Sequence, residues 1–264
     1  MRREGRRGVY ILPSILTIGN LFCGFYAIIA VYKHDYSRAA LAIIIALVVD
    51  FLDGAVARIA KATSDFGVEL DSLADLVSFG VAPGMLAYVF AMQPFGRMGW
   101  LAAFLFAACG ALRLARFNVQ TKKLDKRYFV GLPIPAAAGI IASSVLFLGG
   151  EPSLKILEVQ VLSPELTSAL MVVLVAVTAF LMVSKIRYRS LKEIDIARRR
   201  PFTILVSLLL AMLIVASEPS LLLFGFFFLY ALSGFLRYLP FGRRRVLRDL
   251  GDELELTPGE PRSP

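Results

Sequence analysis

Long apolar stretches recur along the chain and decide what it can fold into. A transmembrane helix takes about 20 predominantly apolar residues. Eight stretches reach or approach that length: residues 12–32, 39–60, 68–92, 98–117, 133–149, 166–184, 202–217 and 220–238. Because 58% of the 264 residues are hydrophobic, a soluble fold of this size has no interior large enough to hide them. The sequence therefore predicts an all-α integral membrane protein, a bundle of about eight transmembrane helices.

Basic residues are concentrated in alternate connections between these stretches. If the N-terminus lies inside, 25 of the 29 Lys and Arg residues fall on the inner side, and the other four are Lys33, Arg38, Arg97 and Lys155. Cytoplasmic loops of membrane proteins carry such an excess. We therefore expect both termini on the cytoplasmic side of the cell (inner) membrane. The net charge of +9 then indicates contact with anionic membrane lipid, and we expect no nucleic-acid partner.

Three segments follow from this pattern. Residues 1–11 form a basic cytoplasmic N-terminus, residues 12–238 form the transmembrane domain, and residues 239–264 form a basic and then polar tail that we expect to be disordered. The first apolar run follows basic residues, as in a signal peptide, but it is long enough to span a bilayer and lacks a small-residue cleavage site, so we interpret it as a retained helix. His34 is the single histidine, which excludes a zinc site that needs several imidazoles.

Four aspartates in the second and third stretches are out of place in a membrane, where a charged side chain costs about 2.5–3.5 kcal/mol at the helix centre. On one helix, Asp50 and Asp53 share a face with Gly54, Ala57 and Arg58; on the next, Gly67, Asp71 and Asp75 are spaced by four residues. A short connection makes the two helices antiparallel, so the four carboxylates can converge. Their mutual repulsion is removed by divalent cations such as Mg²⁺ or Mn²⁺, which prefer oxygen ligands and often bind substrate phosphates.

Two other interpretations of these acids remain open at this point. An ion-pair cluster could join the helices, or the acids could line the path of a multi-pass cation transporter. A transporter would spread its acids over several helices and depths, whereas these crowd onto two helices near one face. A membrane scaffold with a basic surface would leave them without a purpose. The pattern therefore favours an enzyme that acts on a phosphoryl or pyrophosphate substrate.

The run Asp50-x2-Asp53-Gly54-x2-Ala57-Arg58-x8-Gly67-x3-Asp71-x3-Asp75 resembles the complete signature of the CDP-alcohol phosphatidyltransferase family. The resemblance implies two divalent cations, with Asp50 and Asp71 bridging both and with Asp53 and Asp75 each binding one. It also implies that Asp75 is the general base and that the protein is a homodimer. The nucleotide contacts of the family map onto Gly54, Ala57, Arg58 and Ser64.

Three further stretches resemble the bacterial members of this family that use serine as the acceptor. They read LPSILTIGNLFCGFYAI, SLADLVSFGVAPG, and ALRLARFN followed by GLPIPAAAG. The resemblance implies transfer of the phosphatidyl group from CDP-diacylglycerol to the hydroxyl of L-serine, which gives phosphatidylserine and CMP. Glycerol 3-phosphate or inositol phosphate as the acceptor, an archaeal ether-lipid donor, and a covalent phosphatidyl-enzyme intermediate remain open.

The N-terminal stretch departs from its relatives at one position. They carry a Pro-Asn-x-x-Thr pattern, whereas this chain has Ser14 after its proline. Thr17 and Asn20 are retained as candidate contacts on the nucleotide side. Ser14 can keep one hydrogen bond of the missing amide but not both.

Three residues could contact the substrates from other positions. Arg113 and Arg116, three apart at the end of the fourth stretch, either bind the lipid phosphate or the serine carboxylate, or anchor the helix on the positive side of the membrane. Ser78 lies on the face of Asp71 and Asp75, where it either lines the acceptor pocket or packs between helices.

Overall fold

The computed structural model describes residues 11–60, 64–120, 128–152, 154–156, 159–189 and 219–236. The predicted helix over 202–217, most of the predicted N-terminal segment and the whole predicted tail over 239–264 lie outside these ranges.

Helices form almost all of the described chain, which confirms the all-α class. They are α1 (Ile11–Tyr32), α2 (Tyr36–Ala60), α3 (Asp65–Asp75), α4 (Ala82–Ala87), α5 (Arg97–Gln120), α6 (Ile134–Phe147), α7 (Pro164–Val183) and α8 (Pro219–Leu236). Five helical spans within the described ranges are long and apolar enough to cross a membrane, and α6 and α8 are shorter apolar helices. The chain is therefore a multi-pass membrane protein. Seven of the eight predicted stretches correspond to these helices. The remaining stretch, residues 202–217, lies outside the described ranges and stays a prediction.

The third span is continuous from α3 to Phe95 but is not a plain α-helix. A π-helical segment, Leu76–Val81, joins α3 to α4, a second, Tyr88–Met92, follows α4, and a 3₁₀ turn over Gln93–Phe95 ends the span. Gly96 then takes a positive φ of 52° and turns the chain into α5. The sequence predicted one ordinary helix over 68–92, because apolar length carries no information on π turns.

Four short strands form two antiparallel pairs outside the helices, and the sequence does not predict them. β1 (Tyr128–Val130), before α6, pairs antiparallel with β4 (Arg187–Arg189), after α7. β2 (Leu154–Ile156) and β3 (Val159–Leu162) form an antiparallel ribbon between α6 and α7. Strands of three or four residues are too short to show an alternating pattern in the sequence.

The core surrounds α6, in which every residue from Ala136 to Val145 is buried. Its small side chains allow close packing against α2 and α8; a Cβ on Gly139 would lie 2.6 Å from the ring of Phe227. The outer faces of α1 and α2 expose large apolar side chains, among them Phe22, Phe25 and Phe51. Such a surface suits contact with lipid rather than with water.

The ends of the helices gather into two opposite groups. At one end, the ring of Tyr36 packs edge-on against Phe90, with centroids 5.4 Å apart, and the hydroxyl of Ser37 donates to the carbonyl of Gly149. At the other end, the side-chain amide of Asn118 donates to the hydroxyl of Ser72 over 2.9 Å. The second end contains the four aspartates.

Candidate metal centre

Three of the four predicted aspartates meet at one point. Asp50 comes from α2, and Asp71 and Asp75 come from successive turns of α3. One carboxylate oxygen of each lies within 4.8 Å of the other two. Asp75 is buried, with 8% of its surface exposed, and the other two are half-buried. A group of closely spaced carboxylate oxygens is the donor set that hard divalent cations prefer, so these residues fit such an ion.

Asp53 lies beside this group of three and is hydrogen-bonded to helix α1. Its carboxylate is buried, interacts electrostatically with Asp71, and accepts a hydrogen bond from the hydroxyl of Thr17 in α1. The helical spacing predicted all four acids on one pocket. The structure brings three together and places the fourth next to them.

Helix α1 contributes a polar stripe that faces the acids. Asn20, of which 1% is exposed, donates from its side-chain amide to Asp75 Oδ1 over 3.1 Å. Its own Oδ1 is buried and has no hydrogen-bond partner among the described residues. Ser78 donates from its hydroxyl to the backbone carbonyl of Asn20 over 2.9 Å, which gives it a packing role between the helices. Ser14 lies about one turn before Thr17 and is half-buried.

Helix α5 places a buried cation near Asp75. Arg113 is 8% exposed, and its charge interacts with Asp75 and with Tyr230 of α8. Its Nε is buried and has no hydrogen-bond partner in the part of the chain that the structure describes. Tyr230 is not predicted from the sequence, because a tyrosine in an apolar stretch gives no signal of which helix it contacts.

Arg116 has a different environment from Arg113. Its guanidinium donates to the carbonyl oxygens of Val183 and Met182, over 3.1 and 3.2 Å. These carbonyls end α7 and would otherwise lack intrahelical partners. Arg116 therefore caps α7, and its predicted contact with substrate stays a prediction.

The predicted nucleotide contacts lie where α2 ends and α3 begins. Gly54 is half-buried in α2. Ser64 is the N-cap of α3, and its hydroxyl oxygen accepts from the backbone N–H of Gly67 over 3.0 Å. Ala57 and Arg58 belong to α2, but their side chains lie outside the described part of the structure.

The family is decided by a match to the model of the CDP-alcohol phosphatidyltransferase family, which covers residues 10–180. The chain belongs to this family. The matched residues of this phosphatidyltransferase include all four aspartates, Thr17, Asn20, Arg113 and Arg116. Tyr230 lies beyond them.

Three relatives of this CDP-alcohol phosphatidyltransferase share the same name. The CDP-diacylglycerol–serine O-phosphatidyltransferase of Helicobacter pylori is 35% identical over 237 residues, which cover 88% of this chain and 92% of the relative. The protein of the same name from Bacillus subtilis is 47% identical over 126 residues, 48% of this chain and 70% of that one. The one from Saccharomyces cerevisiae is 41% identical over 144 residues, 49% of this chain and 51% of the relative.

Proposed function

We propose that this protein is a CDP-diacylglycerol–serine O-phosphatidyltransferase, which makes phosphatidylserine and CMP. The observation that carries the proposal is the similarity to the Helicobacter pylori enzyme of that name, which extends over about nine-tenths of both chains. The acid cluster between α2 and α3 supports it, because transfer of a phosphoryl group from a pyrophosphate needs a site that can offset concentrated negative charge.

Two divalent cations, Mg²⁺ or Mn²⁺, are the proposed cofactors. Asp50 and Asp71 would hold both ions, and Asp53 and Asp75 would each hold one. When bound, the ions offset the negative charge of the pyrophosphate and of the leaving CMP. The all-carboxylate donor set of Asp50, Asp71 and Asp75 supports this choice over softer metals.

Asp75 is the proposed general base. It accepts the proton of the serine hydroxyl while that oxygen attacks the phosphorus that bears the diacylglycerol. The new bond joins the serine oxygen to phosphorus, and the bond between phosphorus and the CMP oxygen breaks, with the electron pair leaving on CMP. The amide of Asn20 occupies Oδ1 of Asp75, so Oδ2 and the second lone pair of Oδ1 remain for this chemistry.

The remaining predicted residues are proposed as substrate contacts. Gly54, Ala57, Arg58, Ser64 and Ser14 are proposed for the nucleotide. Arg113 is proposed for an anionic group, the serine carboxylate or the lipid phosphate. The burial of its guanidinium beside Asp75 and its Nε, for which the described residues offer no partner, support that assignment.

The proposed setting is the cytoplasmic face of the inner membrane. The helix ends that carry the acids also carry Arg113 and Arg116, whereas Lys33 and Arg38 lie at the opposite ends. The positive-inside rule supports a site on the cytoplasmic side, where L-serine is available. A homodimer is proposed from the family resemblance alone.

A reconstituted assay tests the reaction and the acceptor together. Purified protein is given CDP-diacylglycerol, Mn²⁺ or Mg²⁺, and L-serine, glycerol 3-phosphate or inositol phosphate, and CMP and the lipid product are measured. We expect both products with serine and neither when serine is omitted. CMP release with glycerol 3-phosphate but not with serine would reject serine as the acceptor. No CMP release with any alcohol would reject the proposal that the protein is a phosphatidyltransferase enzyme.

The stereochemistry at phosphorus tests the order of events in the proposed reaction. A single in-line displacement inverts the configuration of a chiral phosphorus. Retention would instead require two displacements and a covalent phosphatidyl-enzyme intermediate.

A further inference from the structure

Helix α1 reaches the metal centre through two side chains, and both contact a carboxylate. The hydroxyl of Thr17 donates to Asp53 Oδ2, and the amide of Asn20 donates to Asp75 Oδ1. The two residues are three apart on one helix, so they lie on the same face. All four side chains are buried, with between 1% and 8% of their surface exposed.

We propose that Thr17 and Asn20 are positioning residues, which hold the carboxylates of Asp53 and Asp75 in the orientation that a divalent cation needs. This inference rests on the proposed function, because it takes the acid cluster as the site of the ions. It also gives the two residues a role other than the nucleotide contact that the sequence suggested.

The hydrogen-bond geometry leaves each carboxylate half engaged. Asp53 accepts from Thr17 through Oδ2, and Asp75 accepts from Asn20 through Oδ1. The second oxygen of each carboxylate takes no part in these two bonds. Fixing one oxygen stops the carboxylate from rotating about its terminal bond, so the other oxygen points in one direction. A metal ligand held in this way loses less conformational freedom when the ion binds, and outer contacts of this type typically contribute 10- to 100-fold in metal affinity.

The close approach of α1 to the third span makes these contacts possible. Gly24 lies four residues after Asn20, and a Cβ on it would come within 2.6 Å of the Cα of Ser78. The Ser78 hydroxyl bonds the backbone carbonyl of Asn20 at the same seam. Helix α1 is therefore held against the span that carries Asp71 and Asp75, at the depth where Asn20 meets Asp75.

Metal affinity separates positioning from a purely structural role. Mn²⁺ binding to the purified full-length protein, without substrate, is followed by the electron paramagnetic resonance signal of free Mn²⁺. We expect Thr17→Val and Asn20→Leu, which keep the side-chain volumes but remove the donors, each to weaken Mn²⁺ binding about 10-fold or more. Thr17→Ser keeps the hydroxyl and should bind Mn²⁺ within about threefold of the wild type.

The matched control is Ser78→Ala. It also removes a buried hydrogen bond between α1 and the third span, but one that ends on a backbone carbonyl instead of a carboxylate. It should lower the thermal midpoint but leave Mn²⁺ binding within about twofold of the wild type, because Gly24 still allows the close approach of the two helices and the bonds to the carboxylates are kept. If Thr17→Val or Asn20→Leu does not fold, Thr17→Ala and Asn20→Ala are measured in their place with the same expectation.

The outcomes separate this inference from the proposed function. Folded variants that bind Mn²⁺ within twofold of the wild type would overturn the positioning role alone, and so would an equal loss in Ser78→Ala. A wild-type protein that binds no Mn²⁺ would overturn the metal assignment and the positioning role together. CMP release with serine, measured separately, bears only on the reaction.

Discussion

The acid cluster and the junction between α5 and α7 lie at the same end of the bundle, and both depend on charged side chains. In the cluster, one carboxylate oxygen of each of three aspartates lies within 4.8 Å of the other two, an arrangement whose mutual repulsion a divalent cation would remove. In the junction, the guanidinium of Arg116 donates hydrogen bonds to two carbonyls of α7. A charge near a membrane is tolerated when it is satisfied. In the junction the protein satisfies the charge itself, whereas in the cluster a bound divalent cation is proposed to do so.

The junction is closed by the backbone as well as by Arg116. The N–H of Gly131 donates to the carbonyl of Ile186 over 2.8 Å, and that of Leu132 donates to the carbonyl of Leu181 over 2.9 Å. The connection before α6 is thus fastened to the end of α7. Substitutions should therefore affect the cluster mainly through activity and the junction mainly through stability.

The largest expected effect is on activity, from Asp71→Asn. Asp71 is one of the three clustered acids, and a neutral amide cannot offset or bind a divalent cation as a carboxylate does. We expect CMP release to fall about 1,000-fold, which corresponds to about 4 kcal/mol. The thermal midpoint should stay or rise, because one of several repelling charges is gone.

The control for Asp71→Asn is Glu69→Gln on the exposed face of the same helix. It removes the same charge two residues away and should keep activity within about twofold. A loss of less than tenfold in Asp71→Asn would contradict the role of the cluster.

A smaller effect, on stability, is expected from Gly131→Ala in the junction. Gly131 has a φ of 85°, and a Cβ there would meet the carbonyl of Met182 and lie 2.9 Å from Arg116 Nη2. The positive φ and the overpacking together should lower the free energy of unfolding by about 2–4 kcal/mol. The thermal midpoint of the detergent-solubilised protein measures this loss.

Gly96→Ala isolates the part of that loss that comes from the backbone. Gly96 also has a positive φ, of 52°, but a Cβ there would have nothing within 4 Å. It should destabilise by about 1 kcal/mol. Equal shifts of the midpoint in the two variants would mean that the close approach at Gly131 has no energetic weight.

A somewhat smaller effect than that of Gly131→Ala is expected from Arg116→Gln. The shorter, neutral side chain loses the charge-assisted bonds to Met182 and Val183, which should lower the free energy of unfolding by about 1.5–3 kcal/mol. Arg38→Gln is the control, because Arg38 is exposed and its ion pair with Asp35 should contribute at most about 0.5 kcal/mol. A fall in activity without a fall in the thermal midpoint would instead indicate the substrate contact predicted for Arg116.

The local features of the fold and site could be predicted from the sequence. Apolar length located seven described helices, and spacing by three and four residues placed Asp50, Asp71 and Asp75 on facing helices. Contacts between residues far apart in the sequence could not be predicted. Arg113 and Arg116 look equivalent in the sequence, and the different neighbours that α7 and α8 bring to each decide their roles. The partners of Thr17 and Asn20 are 36 and 55 residues away, and no periodicity specifies them.

The π-helical segment Leu76–Val81 separates the acids from the packed half of their span. A π turn bonds each residue to the fifth beyond it, so it holds more chain per turn than an α-helix. If the same residues formed a regular α-helix instead, the extra residue would no longer be absorbed in the wider turn, and everything beyond it would be rotated by about 100° relative to Asp71 and Asp75. Gly80 and Gly84, which pack against Ala107 and Ala103 of α5, would then face elsewhere. The π-helical conformation of this segment therefore sets the direction in which the packing glycines face relative to the acids.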